Sequence, residues 1–103
     1  ELTETIATAA YRITQEALTN VARHADASNV AVQLGLDNGF LTLVVSDNGR
    51  GFNTAVLGEF ECLGLASMRE RAMLAGGTFE VQSRLRSGTR VEFKVPFDGL
   101  IFE

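Results

Sequence analysis

The stretch that decides the fold reads Val-Val-Ser-Asp-Asn-Gly-Arg-Gly-Phe and occupies residues 44–52. It begins as an apolar strand, ends on the carboxylate of Asp47 and continues into a loop with two glycines. Because strand side chains alternate between two faces, Asp47 should point to the same side as Leu43 and Val45. A carboxylate on the buried side needs a hydrogen-bond donor, since an unpaired buried charge is costly. We expect a ligand to supply that donor.

The composition indicates one globular domain. A chain of 103 residues has room for a single hydrophobic core. Its 46% apolar and 21% charged residues are typical of a globular protein and argue against disorder. No apolar run approaches the roughly 18 residues that span a bilayer, and the chain does not open on a signal-peptide pattern.

The charge and the cysteine content restrict the function. The formal net charge of −4 disfavours a nucleic-acid-binding surface. A polyphosphate ligand would need local cations, backbone N–H groups and a divalent metal. The single cysteine, Cys62, cannot form an internal disulfide, which favours a reducing compartment. With one histidine and one cysteine, the chain has no set of ligands for a zinc-type cluster.

Hydrophobic periodicity predicts two helices and four half-buried strands. The helices are expected at residues 3–26 and 64–75, and the strands at 30–36, 41–47, 78–83 and 89–95. Residues 53–63 have no clear period and are expected to form an exposed loop. The order helix, hairpin, loop, helix, hairpin predicts an α+β two-layer sandwich, with the helices covering one face of a mixed, mainly antiparallel sheet.

Polar side chains border the apolar stripe of the first helix. The stripe consists of Ile6, Ala10, Ile13, Ala17 and Val21. Glu16, Asn20 and Arg23 fall about 80–100° from its centre, at its edge and not at the solvent pole. The amide oxygen of Asn20 suits Mg²⁺, and Glu16 could act beside that metal as a base or orient a water molecule. Arg23 and His24 could reach phosphate oxygens. The alternative is a solvated helix face.

The tripeptide Asp-Asn-Gly occurs twice, and only the second copy is expected to form a site. Asp-Asn-Gly is a common turn signal, and residues 37–39 are predicted to be only a hairpin turn. In the second copy, Asp47 has inward parity and Gly51 follows it. A carboxylate there suits an exocyclic amine donor such as that of adenine, and glycines let the backbone approach a flat ring.

Two further positions could face the same ligand. Thr89 has the inward parity of the last strand and would lie near Asp47 if their strands are antiparallel neighbours, although threonine also favours strands in general. Gly64 and Leu65 are predicted to open the second helix, whose free N–H groups could meet phosphate. The alternative for Gly64 is that it only lets the chain enter the helix.

Four segments of the chain, in this order, match the motifs of a known family. They are residues 12–25 (Arg-Ile-Thr-Gln-Glu-Ala-Leu-Thr-Asn-Val-Ala-Arg-His-Ala), 47–52 (Asp-Asn-Gly-Arg-Gly-Phe), 64–72 (Gly-Leu-Ala-Ser-Met-Arg-Glu-Arg-Ala) and 87–91 (Ser-Gly-Thr-Arg-Val). They resemble the asparagine-containing helix and the three glycine boxes of sensor histidine kinase catalytic domains, in the GHKL superfamily. The wording is most similar to the nitrate-sensor and liaison-type subfamily. The resemblance covers about residues 8–96.

This resemblance implies the Bergerat ATP-binding fold and the ATP-binding catalytic domain of a two-component sensor histidine kinase. Such a domain binds Mg²⁺ and ATP and transfers the γ-phosphoryl group to a histidine on a separate dimerisation and phosphoacceptor domain, with a response regulator downstream. In isolation such a domain should show little catalytic turnover. We expect a cytoplasmic domain without nucleic-acid or direct membrane contact, although the parent kinase could be membrane-anchored.

The resemblance also assigns roles to residues. Asn20 would bind Mg²⁺, Asp47 would accept the adenine amine, and Thr89 would support Asp47 through water. Glu16, as the catalytic residue, would help to activate the accepting histidine. The nucleotide-binding set would comprise Asn20, Arg23, His24, Asp47, Gly49, Gly51, Phe52, Gly64, Leu65 and Thr89.

The chain departs from the family pattern in two places. Cys62-Leu63-Gly64 stands where many members have Gly-x-Gly. A leading edge strand before the first helix is missing, so residues 1–103 are interpreted as a single domain excised from a longer protein. Two alternatives remain open: a serine protein kinase of the anti-sigma-factor type, and a non-catalytic nucleotide-sensing domain that mediates contacts.

Overall fold

A computed structural model describes residues 4–51 and 59–97 of the chain. In order, these residues form helix α1 (Glu4–Asn20), a π-helical turn (Val21–Ala25), strands β1 (Val30–Asp37) and β2 (Phe40–Asp47), helix α2 (Glu59–Leu74), and strands β3 (Thr78–Arg84) and β4 (Gly88–Pro96). The predicted order of helices and strands is confirmed. Neither described helix is long and apolar enough to cross a membrane.

The four described strands form one sheet in the order β1-β2-β4-β3, and every neighbouring pair is antiparallel. The hairpins β1–β2 and β3–β4 are therefore joined through β2 and β4. In the register of that central pair, Asp47 lies directly opposite Thr89. β2 and β4 are thus antiparallel neighbours, which is the condition under which Asp47 and Thr89 were expected to lie close together.

The helices pack on one face of the sheet, so the predicted α+β two-layer sandwich is confirmed. The core residues share the parity of the inward strand positions or the apolar stripe of a helix. They include Ile6, Ala9, Ile13 and Ala17 of α1, Leu41, Leu43 and Val45 of β2, Leu65, Met68 and Ala72 of α2, and Phe79, Val91, Phe93 and Val95 of the last hairpin. At about 1.5–3 kcal/mol for a fully buried large apolar side chain, these contacts dominate the stability of the domain.

The prediction that β1 is half-buried is wrong. Val32, Leu34 and Leu36 have the helix-side parity, because their register partners Val45, Leu43 and Leu41 are core residues, and Val30, opposite Asp47, shares that parity. Nevertheless, these four side chains are 45–63% exposed. The described helices lie over β2, β3 and β4 and do not extend across β1, so three strands carry the core.

The first helical run, residues 4–25, agrees with the predicted range, but its last turn is π-helical. After Asn20 the helix widens into the π-helical turn. The turn is terminated by Asp26, whose backbone is in the left-handed region with φ 51°. A wider turn rotates the residues that follow it relative to the apolar stripe. Arg23, which lies in this turn, is exposed.

Helix α2 begins at Glu59, five residues before the predicted start. Residues 59–63 are therefore helical and not part of a loop. Gly64 lies inside the helix, so the prediction that Gly64 opens it with free N–H groups is wrong.

Candidate functional site

The carboxylate of Asp47 lies half-buried at the end of β2, beyond the core residue Val45. Its Oδ1 accepts a hydrogen bond of 2.7 Å from the N–H of Gly49, two residues along the chain. Within residues 4–51 and 59–97 this is the one hydrogen bond or ion pair made by the carboxylate. The second oxygen therefore has no hydrogen-bond partner among the described residues.

The loop after Asp47 is packed tightly against the turn between β3 and β4. Gly51 has φ +60°, and a side chain there would overlap the carbonyl oxygen of Arg84. Gly88 has φ +85°, and a side chain there would overlap the carbonyl oxygen of Asp47. The sequence predicts that the glycines beside Asp47 let the backbone approach a flat ring. In the structure, the missing side chain admits the protein's own backbone.

Thr89 lies opposite Asp47 and is held from the neighbouring strand. The hydroxyl groups of Thr89 and Ser83 are 2.8 Å apart, and the Ser83 hydroxyl also donates to the carbonyl of Gly88 at 3.1 Å. Ser83 is thus a further candidate site residue, which was not predicted from the sequence. The predicted β3–β4 hairpin could have indicated Ser83, because the register around its turn pairs Ser83 with Thr89.

The helix side of the site brings Glu16 and Asn20 together against α2. Both side chains are half-buried. A methyl group at Gly64 would lie 2.9 Å from Oε2 of Glu16 and 3.5 Å from Nδ2 of Asn20. The absence of a side chain at Gly64 therefore makes room for these two polar groups. A carboxylate and an amide oxygen side by side are a suitable donor set for Mg²⁺, which also keeps water and phosphate ligands.

Other predicted site residues are placed less favourably. Arg23 is exposed, and the side chain of Leu65 is 8% exposed within the core, so that only its backbone could border a ligand. The side chain of His24 and all of Phe52 lie outside the part of the chain that the structure describes.

A cleft of about 590 Å³ opens at the end of the sheet that carries Asp47. Its lining combines predicted site residues with the β3–β4 hairpin and consists of Ser46, Asp47, Val81, Gln82, Ser83, Arg84, Ser87, Gly88, Thr89 and Arg90. The volume lies within the range of about 300–1,000 Å³ that is usual for small-molecule sites. Glu16 and Asn20 do not line this cleft, and they form a separate group beside α2.

The cleft contains positive charge, although the chain as a whole is negative. Arg84 is exposed at its rim, and Arg90 is bound to Glu92 at 3.0 Å. Since Glu92 partly compensates Arg90, Arg84 is the cation most available to an anionic ligand among the described lining residues.

Comparison with known proteins identifies the family. Residues 5–99 match the family model described as "Histidine kinase-, DNA gyrase B-, and HSP90-like ATPase". A curated relative is "Sensor protein VraS" of Staphylococcus epidermidis, which is 44% identical over 88 residues. That alignment covers 85% of this chain and 25% of the relative, so the chain spans about a quarter of the length of VraS.

Solved structures agree with this assignment. The histidine kinase domain of the blue-light activated histidine kinase EL346 from Erythrobacter litoralis superposes with a TM-score of 0.74 over 90% of this chain and 45% of that domain, at 24% identity. The ATP-binding domain of PrrB from Mycobacterium tuberculosis gives a TM-score of 0.67 over 86% of this chain and 66% of that domain, at 26% identity. The chain therefore belongs to the family of histidine kinase-, DNA gyrase B- and HSP90-like ATPases, and it corresponds to the ATP-binding domain of sensor histidine kinases.

Proposed function

We propose that this chain binds Mg²⁺ and ATP and transfers the γ-phosphoryl group to a histidine on a separate dimerisation and phosphoacceptor domain. The observation that carries the proposal is the state of Asp47. One oxygen of its carboxylate is held by the backbone N–H of Gly49, and the other has no partner within the described chain. The carboxylate is thus oriented in advance and can accept the exocyclic amine of adenine.

Thr89 and Ser83 support the adenine side of the site. If the Ser83 hydroxyl donates to the Gly88 carbonyl, the Thr89 hydroxyl donates to Ser83 and keeps its own lone pairs free. A water molecule could then donate one hydrogen to Thr89 and the other to Asp47. This arrangement supports the role that the resemblance implies for Thr89, and Gly49 and Gly51 shape the loop around it.

Glu16 and Asn20 form the phosphate side. The amide oxygen of Asn20 would hold Mg²⁺ next to Gly64, and Glu16 would orient the accepting imidazole. The bound metal would neutralise charge on the phosphates. Phosphoryl transfer depends mainly on positioning and on charge neutralisation, so the acceptor domain has to complete the site. We expect the isolated chain to bind nucleotide and to turn over little.

The remaining parts of the signalling system are proposals from the same relationship. The phosphorylated histidine would pass its phosphoryl group to a response regulator. The domain would act in the cytoplasm, where ATP is available, as part of a longer kinase.

Titration calorimetry with ATP, in the presence and absence of Mg²⁺, tests this function. We expect the unmodified chain to bind ATP more tightly with Mg²⁺, by about tenfold, which corresponds to roughly 1.4 kcal/mol. Asn20→Ala should abolish this difference because it removes the metal ligand. Gln15→Ala is the matched control, since Gln15 is an exposed amide on the same helix.

Two results would contradict the proposal. An unmodified chain that does not bind Mg·ATP would exclude the function. An Asn20→Ala variant that keeps the Mg²⁺ dependence of the unmodified chain would show that the metal lies elsewhere.

A further inference from the structure

Asn48 makes four hydrogen bonds to one short segment that is distant in sequence. Its Oδ1 accepts the N–H of Ser28 at 3.0 Å and that of Asn29 at 2.9 Å. Its Nδ2 donates to the hydroxyl of Ser28 at 2.9 Å, and its backbone N–H donates to the carbonyl of Asn29 at 3.2 Å. The backbone bond extends the β1–β2 register by one pair, since Val30 lies opposite Asp47, but the three side-chain bonds require an explanation of their own.

The two partners of Asn48 belong to the connection between α1 and β1. Ser28 and Asn29 follow the π-helical turn that continues the helix of Glu16 and Asn20. Asn48 itself comes directly after Asp47. The four hydrogen bonds therefore join the end of the metal-side helix to the loop that presents the adenine-side carboxylate.

The side-chain amide of Asn48 fits this connection closely. One oxygen accepts two successive backbone N–H groups, and the NH₂ group meets a hydroxyl oxygen. Aspartate has the same length and could accept the same two N–H groups, while the Ser28 hydroxyl turned to become a donor. Alanine would leave the two N–H groups of Ser28 and Asn29 to water.

We propose that Asn48 is a positioning residue, which holds Asp47 at a fixed distance from the helix of Asn20. The inference rests on the proposed function, because it concerns the two halves of the same nucleotide site. A ligand that engages both halves gains from a fixed distance, since the site does not have to be ordered on binding. A ligand that engages the adenine half alone gains less.

The first Asp-Asn-Gly copy supplies the control. Asn38 occupies the same place in the tripeptide, at the opposite end of the β1–β2 hairpin. It is exposed in a two-residue turn with φ 53°. Asn38→Ala therefore tests the loss of an asparagine beside a glycine without touching the connection between α1 and the Asp47 loop.

The experiment compares the binding of Mg·ATP and of adenosine to the 103-residue chain and its variants, after thermal denaturation has shown that each variant is folded. We expect Asn48→Ala to weaken Mg·ATP about tenfold and adenosine less than about threefold, because only Mg·ATP spans both halves. Asn38→Ala should change neither affinity. The difference between the two ligands separates positioning from a general loss of structure, which would weaken both alike.

Asn48→Asp is the rescue variant and covers the case in which Asn48→Ala does not fold. At high ionic strength, which screens the added charge, its Mg·ATP affinity should stay within about threefold of that of the unmodified chain. A folded Asn48→Asp variant that loses tenfold or more would overturn the inference.

The other outcomes are also decisive. If Asn48→Ala binds both ligands like the unmodified chain, or weakens both equally, Asn48 does not position the two halves, although the proposed function stands. If the unmodified chain fails to bind Mg·ATP, the proposed function is wrong and this inference falls with it.

Discussion

The chain contains Asp-Asn-Gly at residues 37–39 and again at 47–49, at the two ends of β2. In the first copy, Asn38 (φ 53°) and Gly39 (φ 82°) form the turn of the β1–β2 hairpin, and Asp37 pairs with Phe40. Two central residues with positive φ are the signature of a type I′ hairpin turn. This copy reverses the chain, and its tertiary contact is made by the Gly39 carbonyl, which accepts the N–H of Phe97 at 2.8 Å.

The second copy has the same three residues, but other parts of the fold hold it on both sides. Asn48 is bonded to the connection after α1, and Gly51 lies against the β3–β4 turn. Asp47 faces the cleft. The comparison shows that a turn sequence becomes a candidate binding site when neighbouring elements fix it, because a fixed carboxylate does not lose conformational freedom when a ligand binds.

The largest effect is expected on the free energy of unfolding, when a glycine is replaced by alanine in the loop of each Asp-Asn-Gly copy. Gly39 and Gly51 both have positive φ, but no atom lies within 4 Å of a Cβ at Gly39, whereas a Cβ at Gly51 would overlap the Arg84 carbonyl. Gly39→Ala should therefore cost about 1–2 kcal/mol of unfolding free energy. Gly51→Ala should cost about 3 kcal/mol or more, since a backbone clash is added.

Denaturant unfolding of the two glycine variants measures this difference. Equal losses of stability would show that the second loop is as open as the first, and the comparison between the two copies would fail.

The next largest effect concerns the two carboxylates. Asp47→Asn keeps a side-chain oxygen for the Gly49 N–H and should leave the fold intact, but it removes the charge that the adenine amine would meet. We expect about 1.5–3 kcal/mol of ATP binding to be lost, together with the preference for ATP over GTP. Asp37→Asn, in the hairpin turn, should change neither the ATP affinity nor the preference for ATP over GTP. Calorimetry with ATP and GTP on both variants provides the measurement. Equal ATP affinities of the Asp47→Asn and Asp37→Asn variants would refute the assignment of Asp47.

The smallest effect is expected in β1, beside the first copy. Leu36 has helix-side parity but is 63% exposed, because the described helices do not cover this strand. Leu36→Thr should therefore change the free energy of unfolding by about 0.5 kcal/mol or less. Thermal unfolding of the variant provides the measurement. A loss of several times this size would mean that Leu36 is covered in solution.

Part of the site could be predicted because it follows from strand periodicity. The inward parity of Asp47 and Thr89 is a local property of two strands, and it survives folding because a one-residue slip would expose the whole apolar set. Ser83 and Asn48 could not be found in this way. Their partners lie on other segments, and only the β3–β4 register and the position of the α1–β1 connection bring them together.

Gly64 shows why the start of α2 was misplaced. A glycine inside a helix costs about 1 kcal/mol relative to alanine, so a boundary there is the natural sequence-based choice. In the structure, the absence of a side chain gives space to Glu16 and Asn20 of α1. A contact between two helices therefore compensates a local preference.

The sequence by itself determined the order of the elements, the inward positions of β2 and β4, and the position of Asp47 at a strand end, because these depend on side-chain periods within one segment. Tertiary structure alone decided that β1 stays uncovered, that Gly64 lies inside a helix, and that the side chain of Asn48 is held in one Asp-Asn-Gly copy while the other copy forms a hairpin turn. These features depend on which segments meet, and no single segment contains that information.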